Sequence, residues 1–303
     1  MWTHLGTYTE NKHKLPAAAD GVCIEPEMTG GQEVIYKARE VQGHVLLALD
    51  HRELKLDRAE RWNSVARYCS CWMRPYVGTQ LEELPLETQF LITQAEAQYH
   101  IYIPLVDHHA EYRSVIQGAD AEQLYCYLDG GKEKRASVDV LYHAYGDNPY
   151  RLMERAASVI SYRYGFKLKK DYAPCEIENV LGFSTWNSMY QDVTEKNLMR
   201  VLNEYRDNGV PLGLLMVEDG WHSFNDEDRL TSIHEDPEKF PHGLAPVLKK
   251  AKEDYGVKRI TIWKAYTGYW RGLDPEKFAD YDIRMADYRY EPHLYKDNIP
   301  KDG

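Results

Sequence analysis

No stretch of the 303-residue chain approaches the roughly 18 to 20 consecutive apolar residues of a membrane span. Its first residues, MWTHLGTYTENKHK, lack the basic start and apolar centre of a secretory leader, so a soluble, cytoplasmic protein with no membrane partner is expected. Basic residues are in deficit too. The 37 Lys and Arg against 48 Asp and Glu leave a formal charge of −11, and no Lys/Arg stripe could follow a phosphate backbone, which excludes nucleic acid as a partner. Cysteine is scarce and scattered: Cys23, Cys69, Cys71, Cys126 and Cys175 are odd in number and show no Cys-x-x-Cys spacing. Neither a disulfide framework nor a zinc site is indicated. Cys69 and Cys71 read instead as small residues on one strand face. His222 and His234 have no ligand spacing around them, so no metal and no cofactor are expected. Phenylalanine is sparse as well, 6 residues against 24 tyrosines and 7 tryptophans. Aromatic groups with a polar edge suit core margins, and also places where a flat apolar face meets a hydroxylated ligand.

Between about residues 33 and 145 the apolar pattern has period two, in runs such as EVIYKAREV, HVLLALD, TQFLITQA, QYHIYIPLV and SVDVLYHAYG. Tyr99, Ile101, Ile103 and Leu105 should share one face of a strand, and Val138, Val140 and Tyr142 one face of another. Turn residues fall between the runs, as in Gly118-Ala-Asp120 and Asp129-Gly-Gly131. Short half-buried strands at this spacing predict an antiparallel β-sandwich over residues 1–145.

After Gly146 the period changes. Asp147 or Asn148 can cap a helix with Pro149 in its first turn, running to Gly165 within a helical connector over 146–178. Short apolar segments then alternate with amphipathic helices over Glu195–Asn208 and Leu244–Tyr255. In the first helix Leu198, Val201, Leu202 and Tyr205 fall at i, i+3, i+4 and i+7, with Thr194 as cap and Gly209 beyond the end. Strands joined through helices run parallel with right-handed crossovers, which leaves a (β/α) barrel or a doubly wound sheet. A dinucleotide fold would carry a Gly-rich loop after its first strand. Here the strands end instead in Trp186-Asn187, Glu218-Asp219-Gly220-Trp221 and Trp263-Lys264. Residues 179–303 are therefore read as part of a barrel, whose ligand site lies at the carboxyl ends of its strands.

Those endings have a chemistry. Neighbouring strand residues point opposite ways, so Glu218 and Asp219 can share a pocket only where the strand is ending, and Gly220 permits that release. A carboxylate accepts directed hydrogen bonds from vicinal hydroxyls, and an indole offers a flat wall to the C–H face of a sugar ring. The alternative for Asp219 and Trp221 is a structural one, with the carboxylate bonding backbone amides of its own loop and the indole packing on the barrel. Lys264 could hold a hydroxyl, pair with Glu218 or Asp219, or lie as a solvated surface lysine.

The sequence resembles the raffinose synthase, seed imbibition protein and α-galactosidase group, glycoside hydrolase family 36 in its broad sense. The resemblance rests on ordered motifs: CWMRPYVGTQLEELPLETQFLI at 71–92, YHAYGDNPYRLMERA at 142–156, LGFSTWNSMYQDVT at 181–194, VEDGWHS at 217–223, KFPHGLAPVLKKAKEDYGVKRITIW at 239–263 and AYTGYWRGLDP at 265–275. It implies a β-sandwich domain followed by a (β/α)8 TIM barrel, incomplete here after three strands. It also implies a glycosidase or galactosyltransferase acting on α-galactosides of the raffinose type by a retaining mechanism, with an oligosaccharide or galactoside as partner. It implies Glu218 and Asp219 as contacts to galactose hydroxyls and Trp186 and Trp221 as pocket walls; with Asn187, Trp263 and Lys264, which follow strand ends at the same rim, they form the expected substrate-binding set. Three depart from the family pattern, which usually has Asp at position 187, Asp at 218 and His at 264. Glu218 is one methylene longer than Asp, enough to move its oxygens by about 1 Å. The family's nucleophile lies in a Lys-x-Asp motif on the fourth barrel strand and its acid/base on a later one. Lys55-Leu-Asp57 has that spacing but falls in the sandwich, and Asp280, Asp282 and Asp287 read as solvated. No residue is therefore assigned as nucleophile or acid, and the isolated chain is expected to be inactive. A carbohydrate-binding protein without turnover is the alternative, and the resemblance leaves a homo-oligomer of the full-length parent open.

Overall fold

The computed structural model describes residues 22–67 and 72–283. Cys69, Cys71 and Asp287 lie outside the described residues. The chain divides into two compact units, one running to Tyr172 and the other from Ala173.

The first unit is built on antiparallel strands β1 (Ile24–Gly30), β2 (Glu33–Val41), β3 (Val45–Asp50), β4 (Arg61–Arg67), β5 (Met73–Gly78), β6 (Thr88–Ala95), β7 (Gln98–Pro104), β8 (Val106–Asp107), β9 (Tyr112–Ala119), β10 (Gln123–Gly130) and β11 (Arg135–Gly146). A one-turn helix α1 (His51–Leu54) follows β3. All eleven strands belong to one hydrogen-bonded sheet, with the path β1-β2-β11-β7-β6-β9-β10-β3. Its two arms meet at a single pair, Thr88 of β6 with Ile116 of β9. The arms enclose one core: Val34, Tyr36, Leu91, Tyr102 and Val140 from one, Leu47, Leu49, Ile116, Leu124 and Cys126 from the other. Burial pushes the Cys126 thiol up to about 12, so it remains a neutral apolar packing group.

Strand β4 alternates buried and exposed as a half-buried strand does, whereas β2, β7 and β11 are largely buried on both faces. Helix α2 (Pro149–Tyr164) lies on the outer face of the sheet, and Leu152 and Ala156 pack there on Ile35, Ile101, Leu105, Tyr142 and Ala144. Tyr99, Ile101, Ile103 and Leu105 do share that face. Val138, Val140 and Tyr142 do not share one, because the register of β11 against β2 shifts between Asp139 and Leu141. The extra residue of a bulge reverses the alternation, so Val138, Val140 and Leu141 enter the inner core while Tyr142 turns outward to α2. The helix starts where its cap requires: the Asn148 side chain accepts from the N–H groups of Tyr150 and Arg151, and Gly165 ends it at φ 73°.

The second unit holds three parallel strands, β12 (Gly182–Ser184), β13 (Leu214–Val217) and β16 (Arg259–Ile262), in the order β12-β13-β16. A short hairpin of β14 (His222–Phe224) and β15 (Leu230–Glu235) intervenes in sequence. Between β12 and β13 run α3 (Trp186–Met189) and α4 (Glu195–Asp207), and before β16 runs α5 (Leu244–Glu253). The Thr194 hydroxyl caps α4 by accepting from the Asn197 N–H. Leu198, Val201 and Leu202 of α4 and Leu244, Val247 and Ala251 of α5 pack with Leu215 and Val217 in one core, as the 3.6-residue periodicity requires. The architecture is mixed α/β: a large curled antiparallel sheet and a small parallel sheet with helices.

Candidate functional site

In the parallel sheet Ser184 pairs with Met216, and Val217 with Ile262. The segments that follow, Thr185-Trp186, Glu218-Asp219 and Trp263-Lys264, therefore leave the sheet at the same end. They are cross-linked there. Thr185 is fully buried; its N–H donates to the Met216 carbonyl (3.1 Å) and its hydroxyl accepts from the Glu218 N–H (2.9 Å). The Trp263 N–H donates to the Val217 carbonyl (2.8 Å).

Asp219 is 3 % exposed and sits among aromatic donors. Its Oδ2 accepts from the Tyr269 hydroxyl (3.1 Å) and from the Trp270 indole N–H (3.1 Å). The Tyr269 oxygen in turn accepts from Gln191 Nε2 (2.8 Å), so loops from all three strand ends converge on one carboxylate. Burial, reinforced by the neighbouring Asp219 carboxylate, holds the Tyr269 phenol far above its usual range and keeps it a donor. Asp219 Oδ1 is buried with no donor among the described residues. A buried acceptor in that state is costly and calls for a missing partner.

Gly220 makes the convergence sterically possible. It sits at φ 108°, and a Cβ there would lie 2.5 Å from Gln191 Cα and 2.7 Å from its carbonyl oxygen. Lys239 ties the same two backbones together, donating to the carbonyls of Gln191 (3.0 Å) and Gly220 (2.7 Å).

The remaining candidates divide. Glu218 is half-buried and Asn187 exposed, both on this end of the sheet. Trp186 is half-buried, edge-on to Tyr190 at 5.6 Å. Trp221 is 4 % exposed within the core of its unit, and its indole N–H donates to the Trp263 carbonyl (2.9 Å). Trp263 packs against Tyr269 and Trp270, each at 6.0 Å between ring centroids. Lys264 reaches neither acid; its ammonium lies 5.6 Å over the Trp221 ring and donates to the Ile233 carbonyl (3.4 Å). His222 is buried between Trp221 (4.9 Å, stacked) and Tyr269 (5.3 Å, edge-on), with neither ring nitrogen partnered among the described residues. Burial lowers its pKa against the opposing pull of Asp219, so the ring is a neutral packing group. Among the described residues no three His, Cys, Asp or Glu side chains stand close enough to hold a metal ion. Thr185, Gln191, Tyr269 and Trp270 were not singled out from sequence. The signal for two of them was the Tyr269-Trp270 pair within AYTGYWRGLDP, a third aromatic cluster following a strand end.

The sequence profile of the family described as "Raffinose synthase or seed imbibition protein Sip1" matches residues 53–241 and 231–300. The chain belongs to this family. Among its relatives, the probable galactinol–sucrose galactosyltransferase 1 of Arabidopsis thaliana is 26 % identical over 269 residues, covering 74 % of this chain and 35 % of that protein. The galactinol–sucrose galactosyltransferase of Pisum sativum is 25 % identical over 255 residues, covering 71 % and 32 %. The chain thus spans about a third of the length of the curated relatives it matches. A GH36 α-galactosidase of Geobacillus stearothermophilus, solved in complex with raffinose, superimposes with a TM-score of 0.45 at 14 % identity, covering 87 % of this chain and 40 % of that one.

Proposed function

We propose that the protein acts on α-galactosides of the raffinose type, as a retaining glycosidase or galactosyltransferase. The described residues then represent the N-terminal β-sandwich and the first three strands of a (β/α)8 barrel. The observation that carries this reading is Asp219, a carboxylate fixed through Oδ2 by Tyr269 and Trp270 while Oδ1 has no donor among the described residues, at the carboxyl ends of parallel strands. A sugar hydroxyl supplies the missing donor. Membership of a family whose relatives bear the names of galactinol–sucrose galactosyltransferases supports the substrate class.

In a retaining reaction one carboxylate attacks the anomeric carbon, and a second gives and then takes a proton. Neither role is assigned to a residue of this chain. Its own groups bind and orient: Asp219 and Glu218 accept from ring hydroxyls, Asn187 and Lys264 donate to further ones, and the Trp186 and Trp263 indoles wall the ring. Trp221 holds the Trp263 loop from inside the core and supports Lys264 from below. Among the described residues Cys23, Cys126 and Cys175 are free thiols, and no helix is long and apolar enough to cross a membrane.

The test is Asp219→Asn, which keeps the shape and removes the charge. Raffinose titrated calorimetrically into the full chain, with hydrogen exchange read over residues 182–271, should bind about 10- to 100-fold more weakly to the variant, the scale of a lost charge-assisted hydrogen bond. Equal affinity and equal protection in both proteins would remove Asp219 from the site.

A further inference from the structure

The first unit contains a cleft that the strand-end site does not use, a cavity of about 1000 Å³ between α2 and the outer face of β1, β2 and β11. One face of the helix lines it, through Arg155, Ser158, Val159, Tyr162 and Arg163, at the i, i+3, i+4, i+7, i+8 spacing that brings side chains into one row. The strands supply Glu27, Lys37, Ser137 and Asp139 opposite.

The charges in this cleft balance and are already paired. Arg163 donates through Nε and Nη2 (2.8 Å) to Asp139 and through Nη1 to Glu27 (3.0 Å). Lys37 pairs with Glu27, and Arg155 with Glu33 (2.6 Å). The Tyr164 hydroxyl donates to Asp139 (2.8 Å). Asp107 is occupied by the N–H groups of Ala110 (3.1 Å) and Asp139 (3.0 Å). The lining sets Lys37, Arg155 and Arg163 against Glu27, Asp107 and Asp139, so its field favours neither an anion nor a cation. Its paired carboxylates and guanidinium nevertheless keep unused lone pairs and N–H groups, and the network holds them rigid. The Ser137 and Ser158 hydroxyls add further polar capacity. Beside them Tyr162 is 92 % exposed, a large flat ring left in water at the edge of a polar cleft. Fixed donors and acceptors in balance beside an exposed aromatic plane suit a neutral, hydroxyl-rich ligand.

We propose that this cleft is a second carbohydrate-binding site, which takes a neutral oligosaccharide segment between Tyr162 and the Glu27–Arg163–Asp139 network, independently of the strand-end site. The ligand class comes from the cleft's own lining, so this proposal and the reading of Asp219 fail separately. The volume lies at the upper end of the about 300–1000 Å³ typical of small-ligand sites, enough for more than one sugar ring.

The experiment uses the full chain with raffinose as the neutral probe and sodium sulfate as the anionic one, followed by hydrogen exchange resolved to β1 and α2. Raffinose should protect the amides of Ile24–Gly30 and Pro149–Tyr164. Tyr162→Ala, a change at an exposed position, should weaken that protection about tenfold in apparent affinity while circular dichroism stays unchanged. Asp219→Asn should leave it intact, and added salt should not reduce it. Four results would overturn the proposal: no protection of these segments, protection indifferent to Tyr162→Ala, protection lost with Asp219→Asn, or displacement of raffinose by sulfate.

Discussion

Gly220 is the position where the strand-end site and the fold make the strictest joint demand. Replacing it by alanine adds one methyl group, and the structure gives that methyl two costs. Its φ of 108° lies outside the region an L-residue readily adopts, a strain of about 1–3 kcal/mol. Its Cβ would also stand 2.5–2.8 Å from the Cα, carbonyl oxygen and carbonyl carbon of Gln191, atoms of a backbone rather than of a side chain that could swing aside. Overpacking of that kind costs about 1–3 kcal/mol more. Gly220→Ala should therefore destabilise the second unit by about 2–6 kcal/mol. In hydrogen exchange this corresponds to amides of β12, β13 and β16 exchanging between about thirtyfold and about twenty-thousandfold faster, while amides of the first unit keep their rates. Gly209→Ala is the control: φ is 67° but nothing lies within 4 Å of its Cβ, so only the conformational cost of about 1 kcal/mol remains. Equal effects of the two substitutions, or no effect of Gly220→Ala, would refute the argument that backbone contact with Gln191 fixes the Asp219 loop.

Tyr269→Phe removes the donor to Asp219 Oδ2 and the acceptor for Gln191, and should cost the second unit about 1–3 kcal/mol in denaturant unfolding. Raffinose binding should weaken in parallel, and undiminished affinity would show that the phenol does not position the carboxylate. A pH effect is expected in the first unit, where His100 Nδ1 and His143 Nε2 meet at 3.2 Å in the interior. Burial pushes both pKa values down, His100 to about 4, with Lys55 adding repulsion and His100 adding to that on His143. The unfolded chain takes up protons below about pH 6.5 that the folded pair refuses. Stability is then complete above that pH and is lost as pH falls toward about 4. The urea midpoint of the first unit should drop over this range, and His143→Phe should flatten the drop.

Much of this was legible because local chemistry decides it. Asn148, Pro149 and Gly165 bracket α2, and Thr194 and Gly209 bracket α4, since capping needs only a few residues of context. The strand ends carrying Trp186, Asp219 and Trp263 were readable for the same reason: apolar runs stop at polar and aromatic residues, and the register then aligns them. The path of the large sheet was not readable. It depends on one extra residue at Val140 and on the single pairing of Thr88 with Ile116, and neither leaves a mark on composition or period. The partners of Asp219 were hidden by distance, because Tyr269 lies 50 residues away in a loop without periodicity. Trp221 shows the limit of residue type alone, since the same indole that could wall a pocket is packed into the interior.

The bulge in β11 makes a single strand answer to two interiors. Residues before it fill the space between the arms of the sheet, while Tyr142 and Ala144 after it hold the long helix. Loss of one codon there would not shorten a loop but transpose every later side chain of the strand. The helix would lose its apolar seat, and Tyr142 and Ala144 would exchange places with the neighbours that now face inward. Length at this point is thus as much a part of the inheritance as the residues themselves.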